Sequence, residues 1–177
     1  MSQNVTAQAA SSLHTRKITY SALFLALAMV LPFLTGQIPE IGSMLCPMHI
    51  PALLCGFVCG WPWGLAVGFI SPLLRSVLFG MPDMFPTAVA MAFELAVYGA
   101  VIGYLYAHSR WQCVKALYKC LIPAMVAGRL VWGAVMVVLI GLGGSAFTWQ
   151  LFIGGALLNA LPGIALQLIL IPAVMVL

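Results

Sequence analysis

Charge is what this sequence has least of. Only 6% of its 177 residues are charged, three of them acidic and seven basic, whereas about 25% of the residues of a typical soluble domain are charged. This scarcity excludes an ordinary soluble domain. The basic residues are spread along the chain, so the net charge of +4 does not predict a surface for nucleic acid.

The motifs of metal and catalytic sites are also missing. The five cysteines include no CxxC pair and no Cys–His spacing typical of zinc, and we interpret them as small apolar side chains. There is no GxSxG, HExxH or Walker sequence and no pair of aspartates on facing helices. Intramembrane proteolysis and autonomous ATP use therefore lack their machinery, and we expect no enzyme activity, metal or cofactor in this chain.

Long apolar runs are what the sequence has instead. Hydrophobic residues make up 64% of the chain, and the mean hydropathy is +1.14. A membrane-spanning helix needs about 20 such residues, so the pattern predicts an all-α, polytopic membrane protein with six transmembrane helices. They form a single domain over residues 18–177, after a cytoplasmic N-terminal tail, 1–17. The predicted helices cover residues 18–34, 46–59, 63–78, 85–107, 121–142 and 149–177.

Two features set the predicted topology. No small-x-small cleavage site follows the first apolar run, so we expect a retained helix rather than a signal peptide. Loops after the first and third helices carry Glu40 and Asp83 and no basic residue, which is typical of the outer side. Basic residues stand before the first helix and between the fourth and fifth, at Arg16, Lys17, Arg110, Lys115 and Lys119. The positive-inside rule then predicts both termini inside the cell, N-in and C-in.

Ionisable residues inside predicted spans are the most informative feature. Each costs about 2.5 to 3.5 kcal/mol on insertion scales, so such residues point to function. Arg75, Glu94 and Arg129 lie within the third, fourth and fifth helices. Asn159 falls at a similar depth in the sixth, and His49 is in the first turn of the second. All five lie on the outward side, so we interpret them as candidate substrate-binding residues.

The chemistry of these groups favours an anionic ligand. Glu94 and Arg129 can form an ion pair that only joins two helices, and whether they pair without ligand stays open. Two arginines against one glutamate leave a positive excess, and the planar guanidinium suits carboxylate or phosphate. We expect Arg75 and Arg129 to bind the anionic group and Asn159 to add a neutral hydrogen bond. Trp132, three residues after Arg129, is a candidate for stacking on a ligand ring. His49 equally fits a capping, core or ligand role.

A resemblance to a known family covers nearly the whole chain. It is carried by Arg16 and Lys17 before the first helix, by ALFLA at residues 22–26 and by the run MHIPALLCGFVCGWPWGLAVGFISPLLRSVLFGMPDMFPTAVAMAFELAVYGAVIGYLY from Met48 to Tyr106. The chain resembles the substrate-binding S components of energy-coupling factor (ECF) vitamin transporters. The resemblance implies a high-affinity vitamin binder in the prokaryotic plasma membrane. It would dock through its first helix onto a transmembrane coupling protein served by two ATPases, which use the ATP.

The resemblance also assigns positions. Ala22 and Ala26 match the small pair that meets the coupling protein. Gln37, Glu40 and Asp83 fall in loops that match the gating loops, and Gln37 is also a candidate substrate contact. The positions that match the family's pocket are Arg75, Glu94, Arg129 and Asn159.

The substrate and two other functions stay open. Pantothenate, or another anionic B-type vitamin, is the first candidate, and thiamine-like cations fit less well. One alternative is a small autonomous secondary transporter that works as an oligomer with Glu94 as its coupling acid. The other is a non-transporting membrane assembly factor, in which the polar residues are structural.

Overall fold

The computed structural model describes residues 2–35, 47–110, 113–142 and 161–176, and the described part contains helices and no strands, which confirms the all-α prediction. A 3-10 turn, Leu31–Thr35, extends the first helix, and a short π-helical segment, Met84–Ala88, precedes the fourth. The α-helices of the described ranges are α1 (Ser2–Val30), α2 (His49–Cys59), α3 (Trp61–Phe79), α4 (Val89–Ala107), α5 (Val114–Leu142) and α6 (Leu161–Val176).

Four stretches are long and apolar enough to cross a membrane. They are Ser12–Phe33, Trp61–Phe79, Met84–Ala107 and Val114–Gly141. By contrast, α2 has 11 residues and α6 has 16. At 1.5 Å per residue these helices are about 16 and 24 Å long, against about 30 Å of hydrocarbon. The described residues therefore form a multi-pass membrane protein with four helices of spanning length, and six spans are not confirmed.

Two helices begin seven or more residues earlier than the sequence predicted. Helix α1 begins at Ser2, so the polar segment before residue 18 is helical. Helix α5 begins at Val114 rather than at residue 121, and Lys115 and Lys119 lie on its first turns instead of in a basic connection. Lysine, alanine and leucine are good helix formers, so the helix continues where hydropathy falls. The predicted start of the last helix, at residue 149, lies outside the described residues.

Helix α2 lies at the centre of the bundle. Every residue of α2 except Val58 is buried, and α2 contacts α1, α3, α4 and α6. Glycines allow this close packing, because a Cβ on Gly56 would approach the Gly99 carbonyl oxygen to 2.7 Å and one on Gly99 would overlap Gly64. Helices α2, α3 and α4 therefore approach each other at backbone distance, as small residues allow in a membrane.

The connection between α2 and α3 is a single residue. Gly60 has a φ of 95°, a left-handed conformation that side chains other than glycine rarely adopt. Its backbone N–H donates to the Gly56 carbonyl at 3.2 Å and so ends α2. Pro62 stands in the first turn of α3, where a missing N–H costs nothing. The sequence predicted this break, and the structure narrows it to one residue.

Candidate functional site

A group of polar side chains lies in the apolar interior. Glu94 on α4 and His49, the first residue of α2, are each 1% exposed. Arg129 lies near the middle of α5 and Tyr98 is one turn after Glu94. Helix α4 packs against both α2 and α5, which brings the four residues together. We call Glu94, His49, Tyr98 and Arg129 the Glu94 cluster.

The oxygen Glu94 Oε1 is the common partner in the Glu94 cluster. The Tyr98 hydroxyl donates a hydrogen bond to Glu94 Oε1 at 2.9 Å, and Arg129 Nη1 lies 3.1 Å from the same oxygen. His49 Nε2 is 3.7 Å away, which is beyond hydrogen-bond length. The ion pair that the sequence left open is therefore present. A buried carboxylate needs such partners, because desolvation without them is costly.

The two charges of the pair differ in accessibility. The Arg129 side chain is 17% exposed, whereas that of Glu94 is 1% exposed. The carboxylate is therefore the more deeply enclosed of the two charges. Arginine can bind a planar anionic group through two parallel N–H donors, and the Glu94 cluster holds one such guanidinium beside its counter-charge.

His49 contributes ring nitrogens to this interior. Both Nδ1 and Nε2 are buried and have no hydrogen-bond partner among the described residues. The imidazole ring lies 5.4 Å from the Tyr98 ring, centroid to centroid. No side chain caps the start of α2, so the capping role considered for His49 is not what the described residues show. An unpaired buried polar atom costs about 1 to 3 kcal/mol.

Sequence reasoning missed two polar residues of the interior. Tyr98 follows Glu94 by four residues, a spacing that places both on one helical face, and its ring occupies the space that a side chain at position 128 would fill, where the chain has glycine. Gln167 on α6 is 1% exposed. Its signal was a lone amide in an apolar helix, the same signal that drew attention to Asn159.

Arg75 does not join the Glu94 cluster. Its Nη1 donates to the Met29 carbonyl of α1 at 2.8 Å. Its guanidinium lies 5.2 Å from the centroid of the Phe33 ring and 5.3 Å from that of Phe79. The contacts that the structure describes for Arg75 therefore link the end of α1 to the end of α3, although the residue is only 4% exposed.

The other predicted residues are placed as follows. Trp132 is half-buried on α5, one turn after Arg129. Asp83 is exposed in the connection before the π-helical segment, and its carbonyl accepts a hydrogen bond from Ala88 N–H at 2.9 Å. Gln37, Glu40 and Asn159 lie outside the described residues.

A groove on the outside of the bundle is separate from this site. It runs between α3 and α4, has a volume of about 440 Å³ and is lined by Leu65, Phe69, Phe93, Ala96, Val97 and Ala100. All six are apolar. The groove therefore offers no polar side chain to a vitamin. Within the described ranges no group of three His, Cys, Asp or Glu is placed to hold a metal.

The fold and the site together define a class: an all-helical, multi-pass membrane protein with a charged pair buried between its helices. The comparison with known families is specific. The chain belongs to the family described as ECF transporter, substrate-specific component, whose model matches residues 16–175. No curated protein and no solved structure matches the chain.

Membership in this family identifies the kind of subunit. S components are the substrate-binding, non-catalytic subunits of ECF importers. They bind small molecules and associate with an ECF module, in which partner ATPases hydrolyse ATP. The chain is therefore a substrate-binding subunit of such an importer.

Proposed function

We propose that this chain captures a small anionic B-type vitamin, with pantothenate as first candidate, at the outer face of a prokaryotic plasma membrane and delivers it to an ECF module. The observation that carries the proposal is the buried pair of Glu94 and Arg129, whose nearest charged atoms are 3.1 Å apart. A charged pair in the interior of a membrane bundle is expensive and points to ligand binding.

The proposal includes six membrane crossings with both termini inside. Helices α2 and α6 are short, but α2 is surrounded by other helices and so does not need to match the hydrocarbon thickness alone. Exposed basic residues support the orientation, since they fall in the first turns of the stretch Ser12–Phe33 and around the start of α5. These residues are Arg16, Lys17, Arg110, Lys115 and Lys119.

The preference for an anion rests on charge and geometry. In the Glu94 cluster the Arg129 side chain is 17% exposed and that of Glu94 is 1% exposed, so the cation is the more accessible of the two charges. Arg129 would bind the carboxylate of the vitamin, and Glu94 Oε1 would accept a hydrogen bond from a ligand hydroxyl or amide. A thiamine-like cation would instead meet the accessible guanidinium, and like charges repel.

Binding measurements on the purified protein test this proposal. We expect pantothenate to bind tightly, its neutral alcohol analogue panthenol to bind at least about tenfold more weakly, and thiamine to bind more weakly still. Arg129→Met should weaken pantothenate binding by about ten- to a hundredfold, because a charge-assisted hydrogen bond is lost. Lys119→Met, which removes an exposed cation from the same helix, is the matched control and should leave the Kd unchanged.

Three outcomes contradict parts of the proposal. Tighter binding of thiamine than of pantothenate would overturn the anionic substrate. Uptake by the reconstituted chain alone, without ATP, would favour a secondary transporter. If the purified protein neither binds nor takes up a vitamin, and mass spectrometry finds none co-purifying, an assembly factor is favoured.

A further inference from the structure

Gln167 is a polar side chain that neither the fold nor the proposed anion site uses. It lies on α6, a helix whose other side chains are all apolar, and it is 1% exposed. Its Oε1 atom is buried and has no hydrogen-bond partner among the residues of the described ranges. Most buried polar atoms in proteins are paired, so an unpaired one requires an explanation.

The position of Gln167 connects it to the Glu94 cluster. Ile171 is one turn further along the same face of α6 and belongs to the apolar cluster that includes Ile50 and Tyr98. Ile50 directly follows His49, and Tyr98 is bonded to Glu94. Helix α6 contacts both α2 and α5. The face of α6 that carries Gln167 is therefore turned toward the interior that holds the Glu94 cluster.

Unpaired polar atoms collect in this interior. They are Nδ1 and Nε2 of His49 and Oε1 of Gln167, from two helices in contact. Each imidazole nitrogen can take part in one hydrogen bond, and an amide oxygen can accept two. Gln167 and His49 therefore retain hydrogen-bonding capacity that no described residue uses.

We infer that Gln167 and His49 form a second half of the substrate site, which binds the hydroxyl and amide groups of the ligand while Arg129 binds its anionic end. This inference rests on the proposed function and deepens it. The substrate class becomes a small molecule with a carboxylate at one end and a neutral hydroxyl–amide segment at the other. The amide of Gln167 both donates and accepts, so it matches either group of such a segment.

The test is Gln167→Met, which keeps an unbranched side chain of similar length and removes the amide. Panthenol shares the hydroxyl–amide segment of pantothenate and lacks its carboxylate. The substitution should therefore raise the Kd of both probes by a similar factor, roughly three- to tenfold for one neutral hydrogen bond. In the protein without ligand, the melting temperature should stay the same or rise, because an unpaired buried amide is removed.

Ile171→Met is the matched control, on the same face one turn away, and should leave both Kd values unchanged. A lower melting temperature of ligand-free Gln167→Met together with unchanged Kd values would overturn the inference, since the amide would then be structural. Weaker binding of pantothenate alone would also overturn it. If the wild-type protein binds neither probe, the proposed substrate fails. The melting temperature of ligand-free Gln167→Met then tests the role of Gln167 separately. A decrease relative to the wild type overturns that role, and an unchanged or higher value supports an unpaired amide.

Discussion

Glu94 is the residue whose removal should disturb the interior most. It supplies the counter-charge of Arg129 and accepts the hydrogen bond from Tyr98. Glu94→Gln keeps the shape and removes the charge, which leaves the guanidinium uncompensated. Breaking a buried ion pair from one side costs about 3 kcal/mol or more. We therefore expect a clear drop in the melting temperature of the ligand-free protein.

A bound anion should reduce this loss, because its carboxylate replaces the missing counter-charge. The temperature shift produced by pantothenate should thus be larger for Glu94→Gln than for the wild type. Tyr98→Phe is the control, since it removes one hydrogen bond to the carboxylate, worth about 1.5 to 3 kcal/mol, and keeps the charge of Glu94. The double variant Glu94→Gln with Arg129→Gln should recover part of the stability. If the stability losses of the two single variants simply add in the double variant, Glu94 does not stabilise the protein through its pair with Arg129.

At the level of helices, the sequence predicted how deep a polar residue lies in the membrane. It did not predict which side of its helix faces which neighbour. The apolar runs predicted the start of α3 to within two residues and its end to within one. They also predicted that α4 ends at residue 107. Counting residues from helix ends placed Glu94 and Arg129 at one depth, and they do meet. The count placed Arg75 on the same outward side but nearer the outer end of its helix, and its contacts are with the ends of α1 and α3 instead of with the Glu94 cluster.

Other features were hidden for different reasons. The early starts of α1 and α5 carry polar residues, and a hydropathy pattern gives no signal there. Tyr98 was readable from its spacing to Glu94 but looked like an ordinary aromatic of a span. The unpaired nitrogens of His49 depend on how α2 is enclosed by its neighbours, which only tertiary packing determines.

Arg75 joins two helices, and its substitution should act on their packing. Arg75→Met removes the hydrogen bond to the Met29 carbonyl and the contacts with the rings of Phe33 and Phe79. A charge-assisted hydrogen bond contributes about 1.5 to 3 kcal/mol, and cation–π contacts add to it. We expect lower thermal stability with a Kd for pantothenate that changes less than about threefold.

Arg75→Lys is the informative partner variant, because it keeps the charge and loses the planar group that lies over the rings. It should recover only part of the stability. A tenfold loss of pantothenate affinity in Arg75→Met, with unchanged stability, would instead assign Arg75 to the ligand, as the sequence predicted.

In the molecule as a whole, the charged interior is separate from an exposed face of α1. Helix α1 packs on α2 and α3 through Ser21 and Ala28, which are 6% and 0% exposed. The Cys55 thiol donates to Ser21 Oγ at 3.7 Å on this packed side. Ala22 and Ala26 are exposed on another face, so two small residues one turn apart are available to a partner helix.

Bulky side chains on this face should stop transport without affecting binding. Tryptophan at position 22 or 26 would hold a partner backbone away, and close van der Waals contact is what drives helix association in lipid. We expect Ala22→Trp and Ala26→Trp to keep the Kd for pantothenate within about threefold, while ATP-dependent uptake and co-purification with the ECF module are lost. Ile169→Trp, at a residue of α6 that is 71% exposed, is the control and should transport normally. Normal uptake by the Ala22→Trp, Ala26→Trp double variant would show that the module docks elsewhere, since no close helix approach can survive two tryptophans on one face.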